Sequence, residues 1–103
     1  RDRGALSRVV DDGLVENTFR IMVINSTEQE RDFDLTVDGL PGAYIESGAD
    51  ATVGSLERRL VVVRVRAAAD SGSSGSNPIH FTVAARDAPD VVRREKSVFF
   101  LPQ

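Results

Sequence analysis

The sequence predicts an all-β domain built as an antiparallel β-sandwich. Val is the commonest residue, with 14 copies among 103 residues, and Ile and Thr bring the β-branched residues to 23. Such side chains are stiff at their first torsion and fit a pleated surface. Apolar and polar residues alternate with period two in several segments, and Gly, Pro and Ser turns separate them. No segment has the apolar spacing of three and four residues that is typical of a helix.

The first half of the chain contains two regularly alternating segments. Residues 6–10 predict a short first strand, and Asp-Asp-Gly at 11–13 predicts a turn after it. Apolar residues occupy the odd positions of 19–23, so burial of that face leaves Arg20 on the solvated side. Residues 32–38 alternate apolar with mostly acidic side chains and form the most regular strand pattern. Because a polar connection joins these two segments, we expect them to form an antiparallel pair.

The middle of the chain predicts two short strands and a long one. Gly-Leu-Pro-Gly at 39–42 interrupts the chain, because Pro fixes one torsion and Gly tolerates positive φ. Short strands are expected at 44–45 and 51–53. Residues 60–66 begin with apolar side chains on both faces, which predicts a strand buried on both sides at its start.

The last third of the chain predicts a loop followed by a hairpin. Residues 70–77 are Asp, Ser, Gly and Asn only, so we expect a solvated loop. An alternating segment starting at Pro78 and the segment 91–100 form the two hairpin strands. The charged residues at 93–96 interrupt the alternation of the second strand.

Together these segments amount to about seven strands in about one hundred residues, the pattern of a β-sandwich. The length fits a single domain over residues 1–103. The chain begins with Arg1 rather than Met, so we expect an excised or processed part of a longer protein. Its core is expected to depend on the valines and on three aromatic residues: Phe19, Phe33 and Phe81.

The composition excludes several kinds of chemistry. The chain contains no Cys, no Trp, one His and one Met, and its formal net charge is −3. Without Cys, the chain itself forms no disulfide, thiolate metal site, cysteine nucleophile or iron–sulfur cluster. A mildly acidic chain with scattered Arg residues lacks the basic patch of a nucleic-acid-binding protein. The longest apolar run, 60–63, is far shorter than the roughly 20 residues that a membrane-spanning helix needs.

Candidate catalytic residues are few. His80 stands alone, and Ser97 on the expected hairpin partner is a candidate neighbour. A nucleophilic Ser also needs an oxyanion hole, and the glycine-rich nucleophile turn is missing. We therefore expect no catalytic residue and interpret His80 as a half-exposed strand residue. Asp32 and Asp34 share a strand face, but calcium needs six or more oxygen ligands, so we expect a solvated acidic face.

His80 and Met22 are the copper-ligand candidates, because copper favours His, Met and Cys. Both are expected on the non-core faces of their strands, and two ligands on different strands form an incomplete site. We predict no metal site and no bound cofactor in this chain. The sequence Asn25-Ser26-Thr27 matches the N-glycosylation pattern, which is common by chance and which we discount.

Five segments resemble proteins of the FixG/CcoG type. VENTFRIMVIN at 15–25 resembles their "IEN-aromatic-…-N" strand, and GLPG at 39–42 resembles their turn of the same sequence. GSNPIHF at 75–81 and EKSVF at 95–99 are similar to two later segments, "GSNPI-x-F" and "EKS-x-F". RDRG at 1–4 matches the start of the family's C-terminal domain. The matches follow in order over almost the whole chain.

The resemblance implies a context for the domain. Such proteins are bacterial inner-membrane proteins with a ferredoxin-like part that binds two iron–sulfur clusters, and they end in a periplasmic immunoglobulin-like domain. They assist assembly of a cbb-type cytochrome oxidase, with copper reduction as the proposed redox task. The resemblance therefore implies a non-catalytic accessory domain, with the iron–sulfur clusters of the suspected oxidoreductase upstream. Oxidase subunits or copper-delivery proteins are the implied partners.

Two alternatives remain open at the level of sequence. One is a domain that presents copper through His80 and Met22. The other is a free-standing extracellular sandwich for adhesion or carbohydrate binding, although the absence of Trp and the single Tyr disfavour an aromatic binding platform.

Overall fold

Two four-stranded antiparallel sheets face each other in the computed structural model, which describes residues 6–10 and 13–102. Sheet A has the strand order β1-β2-β6-β4, and sheet B has the order β5-β3-β7-β8. The strands are β1 Leu6–Val9, β2 Leu14–Ile24, β3 Arg31–Asp38, β4 Tyr44–Ser47, β5 Asp50–Val53, β6 Arg58–Ala68, β7 Gly75–Ala85 and β8 Ala88–Leu101. The all-β sandwich is confirmed, with eight strands in the described residues where about seven were predicted.

Most predicted strands lie where the alternation placed them. The short strands at 44–45 and 51–53 are parts of β4 and β5, and the hairpin of β7 and β8 is confirmed. The predicted loop at 70–77 is shorter than expected, because β7 already begins at Gly75. Of the predicted turn at 11–13, the two Asp residues lie outside the described residues, as does the segment 1–4. Within the described ranges, no helix is long and apolar enough to cross a membrane.

The expected pairing of the segments 19–23 and 32–38 is wrong. The first lies in β2 of sheet A and pairs with β6, whereas the second lies in β3 of sheet B and pairs with β7. Two amphipathic strands can bury their apolar faces side by side in one sheet or face to face across a core. Here the polar connection crosses between the sheets, so the two apolar faces meet across the core.

The start of β6 is exposed on one side, contrary to the prediction. Val61 and Val63 are buried, but the exposed fractions of Leu60 and Val62 are 51% and 42%. The alternate side chains of β6 point away from sheet B, and no other segment of the described chain forms a layer over that outer face. Burial in the core therefore does not explain why Leu60 and Val62 are apolar.

The core lies between the inward faces of both sheets. Phe19 of sheet A and Phe81 of sheet B meet edge to face, with ring centroids 5.0 Å apart and an interplanar angle of 67°. Such a pair contributes about 0.5–1.5 kcal/mol beyond its buried area. Phe33 is buried as predicted, whereas Phe99 and Leu101 are core residues that the interrupted pattern of β8 had concealed.

The charged stretch of β8 is explained by its position at the edge of sheet B. Directly paired residues share a face of a sheet, and the register pairs Phe81 with Glu95 and Ile79 with Ser97. Glu95 and Ser97 therefore point inward, yet both are only partly buried. At these two positions sheet A does not fully cover the inward face of β8, and the inward-facing side chains are polar.

We expect the two glycines of the turn between β3 and β4 to differ in their tolerance of Ala. Gly39 has φ +108°, and a Cβ there would lie 2.9 Å from the Pro78 carbonyl oxygen. Gly42 has φ +75°, and a Cβ would meet no atom within 4 Å. Gly39→Ala should lower the free energy of unfolding by about 3 kcal/mol, and Gly42→Ala by about 1 kcal/mol. Equal losses in urea unfolding would contradict the close approach at Gly39.

Candidate functional site

The two copper-ligand candidates lie on opposite sides of the sandwich. Met22 is exposed on the outer face of sheet A, and His80 is half-exposed on the outer face of sheet B. Both positions face away from the core, as the alternation predicted. Because both sheets separate the two side chains, they cannot bind the same ion. No group of three or more His, Cys, Asp or Glu residues that could hold a metal occurs in the described part of the chain.

His80 and Ser97 also point to different faces. The register pairs Ser97 with inward-facing Ile79, whereas His80 pairs with Lys96 on the outer face. The His80 imidazole instead lies beside Asp38, with 3.7 Å between Nδ1 and Oδ1. The structure therefore does not bring together the Ser and His that sequence reasoning considered as neighbours.

Asp32 and Asp34 share the outer face of sheet B, as predicted, and Arg86 neutralises part of their charge. Arg86 donates two hydrogen bonds to Asp34, of 2.8 Å from Nη2 and 3.2 Å from Nε. These hydrogen bonds lower the pKa of the Asp34 carboxyl below its ordinary value, and desolvation opposes the shift only in part. The arrangement is an exposed ion-pair network, with Arg86 also within 3.9 Å of Asp32.

A buried carboxylate on the outer face of sheet A was missed by sequence reasoning. Glu16 is only 1% exposed, although its position on β2 points outward. Arg8 of β1 and Arg66 of β6 lie directly opposite it and donate hydrogen bonds of 2.9 and 3.0 Å to its two oxygens. Burial acts to raise the pKa of Glu16, but the hydrogen bonds and charges of both arginines lower it overall. Only the cross-strand register could have identified this trio.

The next residue, Asn17, joins the two sheets. Its side chain points inward and is fully buried. Its Nδ2 donates to the Phe100 carbonyl oxygen at 3.0 Å, and its Oδ1 accepts from the Phe100 amide at 2.7 Å. The side-chain amide thus pairs with the backbone of β8 much as a neighbouring strand would.

Asn25 holds the connections at one end of the sandwich. Its buried Nδ2 donates to the carbonyl oxygens of Gln29, Val53 and Gly54, at 2.8, 2.9 and 3.1 Å. Its Oδ1 accepts from the Thr27 amide at 3.0 Å. Glycosylation would require this nitrogen to be accessible, so discounting the Asn25 motif agrees with the geometry.

Asn77 has a similar function at the start of β7. Its Nδ2 donates to the carbonyl oxygens of Ser73, Gly75 and Phe99, and its Oδ1 accepts from the Ser73 amide at 3.0 Å. These bonds satisfy the backbone of the preceding loop and fix it to β8. The three asparagines are thus structural, and no buried side-chain nitrogen or oxygen of the described residues is without a partner.

The outer face of sheet A carries an exposed apolar surface. We call the side chains of Met22, Ile24, Leu60 and Val62 the sheet A patch; all four are exposed. They lie on neighbouring strands, and Met22 pairs directly with Leu60.

Three exposed arginines surround this apolar centre. We call Arg20, Arg58 and Arg64 the arginine rim. Arg58 pairs with Ile24, Arg20 pairs with Val62, and Arg64 follows two positions later on β6. An exposed apolar centre with a polar border is typical of interaction surfaces, so this patch is the candidate functional site of the domain.

Comparisons with known proteins agree on one type of domain. A family model described as the IG-like fold at the C-terminal of FixG matches residues 1–102. The crystal structure of a FixG-related protein from Vibrio parahaemolyticus has a TM-score of 0.79 and 26% sequence identity, covering 100% of this chain and 91% of that chain. A search of curated proteins found no match.

Replacing Glu16 should remove part of the pH dependence of stability. A carboxyl with a lowered pKa in the folded state stabilises the fold above its ordinary pKa of 4.5, and this stabilisation is lost as the pH falls through the lower folded value. Glu16→Gln should cost about 2 kcal/mol at pH 7 and flatten the acid limb of the stability profile. The control Asp38→Asn breaks an exposed pair with Arg94 and should cost less than about 1 kcal/mol. A Glu16→Gln profile parallel to that of the original chain would contradict this account.

Replacing Asn17 should loosen the contact between the sheets. Asn17→Leu keeps a similar volume but removes both hydrogen bonds to the Phe100 backbone, which should cost about 2–4 kcal/mol. Hydrogen exchange gives a local measurement, because the Phe100 amide donates to Asn17. We expect that amide to exchange faster relative to other β8 amides, whereas Thr18→Ala, on the opposite face of β2, should leave its relative rate unchanged. Uniform acceleration along β8 would argue against a local link.

Proposed function

The chain belongs to the family of IG-like domains at the C-terminal of FixG, and on that premise we propose that it is a non-catalytic module for binding other proteins. The observation that carries the proposal is the sheet A patch. Large apolar side chains that cluster on the exposed face of a sheet mark an interaction surface when polar residues surround them. The patch lies on β2 and β6, which pair with each other along its whole length.

The lowered pKa values of Glu16 and Asp34 support a structural function for these two carboxylates. Glu16 is neutralised by two arginines, and Asp34 by Arg86. A catalytic carboxylate has a pKa tuned toward the working pH, whereas both of these carboxyls have lowered pKa values. Met22 has its place in the sheet A patch, where it contributes apolar surface and not a metal ligand.

The family context suggests which assembly the module serves. We propose that it forms the periplasmic end of an inner-membrane iron–sulfur protein that takes part in assembly of a cbb-type cytochrome oxidase and in copper reduction. The chain has no Cys, so the iron–sulfur clusters of such a protein lie upstream of this domain. The partners of the domain are then oxidase subunits or copper-delivery proteins, and the domain holds no cofactor of its own.

Deleting the domain from the full-length protein tests this function. The tagged parent protein, with and without residues 1–103, is expressed in its bacterial host, and co-purified oxidase subunits and copper-delivery proteins are quantified. We expect the deletion to reduce their recovery and the amount of spectroscopically assembled oxidase. Iron–sulfur absorbance of the purified parent serves as the control that the upstream part is intact. Undiminished recovery and assembly with intact clusters would overturn the proposal.

A further inference from the structure

We propose that the sheet A patch binds one protein partner whose contact surface has an apolar centre bordered by carboxylates. This inference rests on the proposed binding function and adds the location and chemistry of the interface. It follows from the shape of the patch, the charge around it, and the charge distribution over the rest of the domain.

The apolar centre is flat and preformed. Met22 and Leu60 are directly paired across β2 and β6, and Ile24 and Val62 lie one step away along the same outer face. Their exposed fractions range from 42% to 51%, so each side chain is about half covered by its neighbours. A preformed surface loses little conformational entropy on association.

The border of this surface is cationic. The arginine rim flanks the apolar centre at both ends of its length along β2 and β6. The one carboxylate of the outward positions of β2, Glu16, is already neutralised by Arg8 and Arg66. On β4, Glu46 lies beside Arg66, with 3.9 Å between Oε1 and Nη1. Among the described residues, those of the arginine rim give the border of the patch a positive charge, in a chain whose net charge is −3.

The carboxylates are concentrated elsewhere. Asp32, Asp34 and Asp38 alternate along the outer face of β3, and Asp50 of β5 lies opposite Asp34 in sheet B. Arg86 and Arg94 form ion pairs with Asp34 and Asp38 on this face, and Lys96 is exposed on it, so its charge is mixed, whereas the patch on sheet A is bordered by cations. Complementary potentials select and orient partners, so the partner of sheet A carries Asp or Glu side chains opposite the rim.

A second copy of the chain fits this face poorly. A twofold contact places the same surface on both sides, and it would bring the two arginine rims together. Like charges opposed across an interface are unfavourable. Association between identical sheet A faces is therefore disfavoured by the same residues that favour an acidic partner.

A lipid surface also fits less well than a protein. Amphipathic segments that bind membranes bury whole apolar side chains at the boundary of the acyl chains. The patch residues are held at one level by the sheet and are half covered, so they project little. A flat, rigid face of this kind is complementary to another flat protein surface.

Site-specific photo-crosslinking in the full-length parent protein tests the inference. A photo-reactive benzoylphenylalanine at position 60 probes the patch in membranes of the native host. The same residue at position 98 is the matched control, since Val98 is exposed to 47% on the outer face of sheet B. We expect a protein adduct from position 60, little from position 98, and cross-linked peptides that lie beside Asp or Glu residues.

Charge reversal then tests the rim. Arg58→Glu together with Arg64→Glu should reduce the adduct about tenfold, whereas Lys96→Glu on the outer face of sheet B should not change it. Reversing the mapped partner carboxylates to Lys should restore the adduct of the double variant. An adduct insensitive to charge reversal, failure of the compensating change, equal labelling at position 98, adducts with lipid or with a second copy, or no adduct at position 60 would each overturn the inference.

The two proposals fail in different ways. If deletion of the domain impairs oxidase assembly but position 60 gives no charge-dependent adduct, the binding function stands and the interface lies elsewhere. Position 60 could instead give the expected adduct while deletion of the domain has no effect on partner recovery or oxidase assembly. In that case the interface stands, and the proposed role of the domain in oxidase assembly is overturned.

Discussion

The structure depends on the hydrogen bonds that the buried Asn17 side chain makes between the two sheets. Antibody domains link their sheets through a disulfide, but this chain has no Cys. A buried amide can replace that link only if its donor and acceptor both find partners, because an unsatisfied buried polar group is costly. The Phe100 backbone supplies both partners and thereby fixes β8 against β2. Phe19, two positions after Asn17 on the same face of β2, adds the edge-to-face contact with Phe81.

Alternation in the sequence predicted the strands and most of the core, because burial of one sheet face is a local property of a strand. Alternation did not predict which strands pair with each other, because a period of two identifies the apolar face of a strand but not the element that covers this face. For that reason the segments 19–23 and 32–38 were placed side by side instead of face to face. Leu60 and Val62 were assigned to the core for a related reason: an apolar side chain gives the same sequence signal in a core and at an interface. Glu16 was missed because its burial comes from cross-strand neighbours.

The segments that resemble FixG proteins contain the residues with the most demanding structural tasks. Asn17, Asn25 and Asn77 satisfy backbone groups in the interior, and Gly39 permits a close backbone approach in the turn. These tasks explain why the segments identify the fold. The β6 half of the sheet A patch and two arginines of its rim lie outside all five segments. Arg20, Met22 and Ile24 lie within the first segment, so the signature of the family and the proposed binding surface overlap only in β2.

The link between Asn17 and Phe100 also bears on the order of events during folding. The two residues are 83 positions apart in the chain, so their hydrogen bonds close a loop that contains nearly the whole domain. Closing such a loop lowers the conformational entropy of the chain before the contacts that stabilise the fold have formed. Sandwiches in which most contacts join distant residues therefore fold slowly. We therefore expect the β-hairpin of β7 and β8 to form early and its docking onto β2 to come late, as the step that completes the interior.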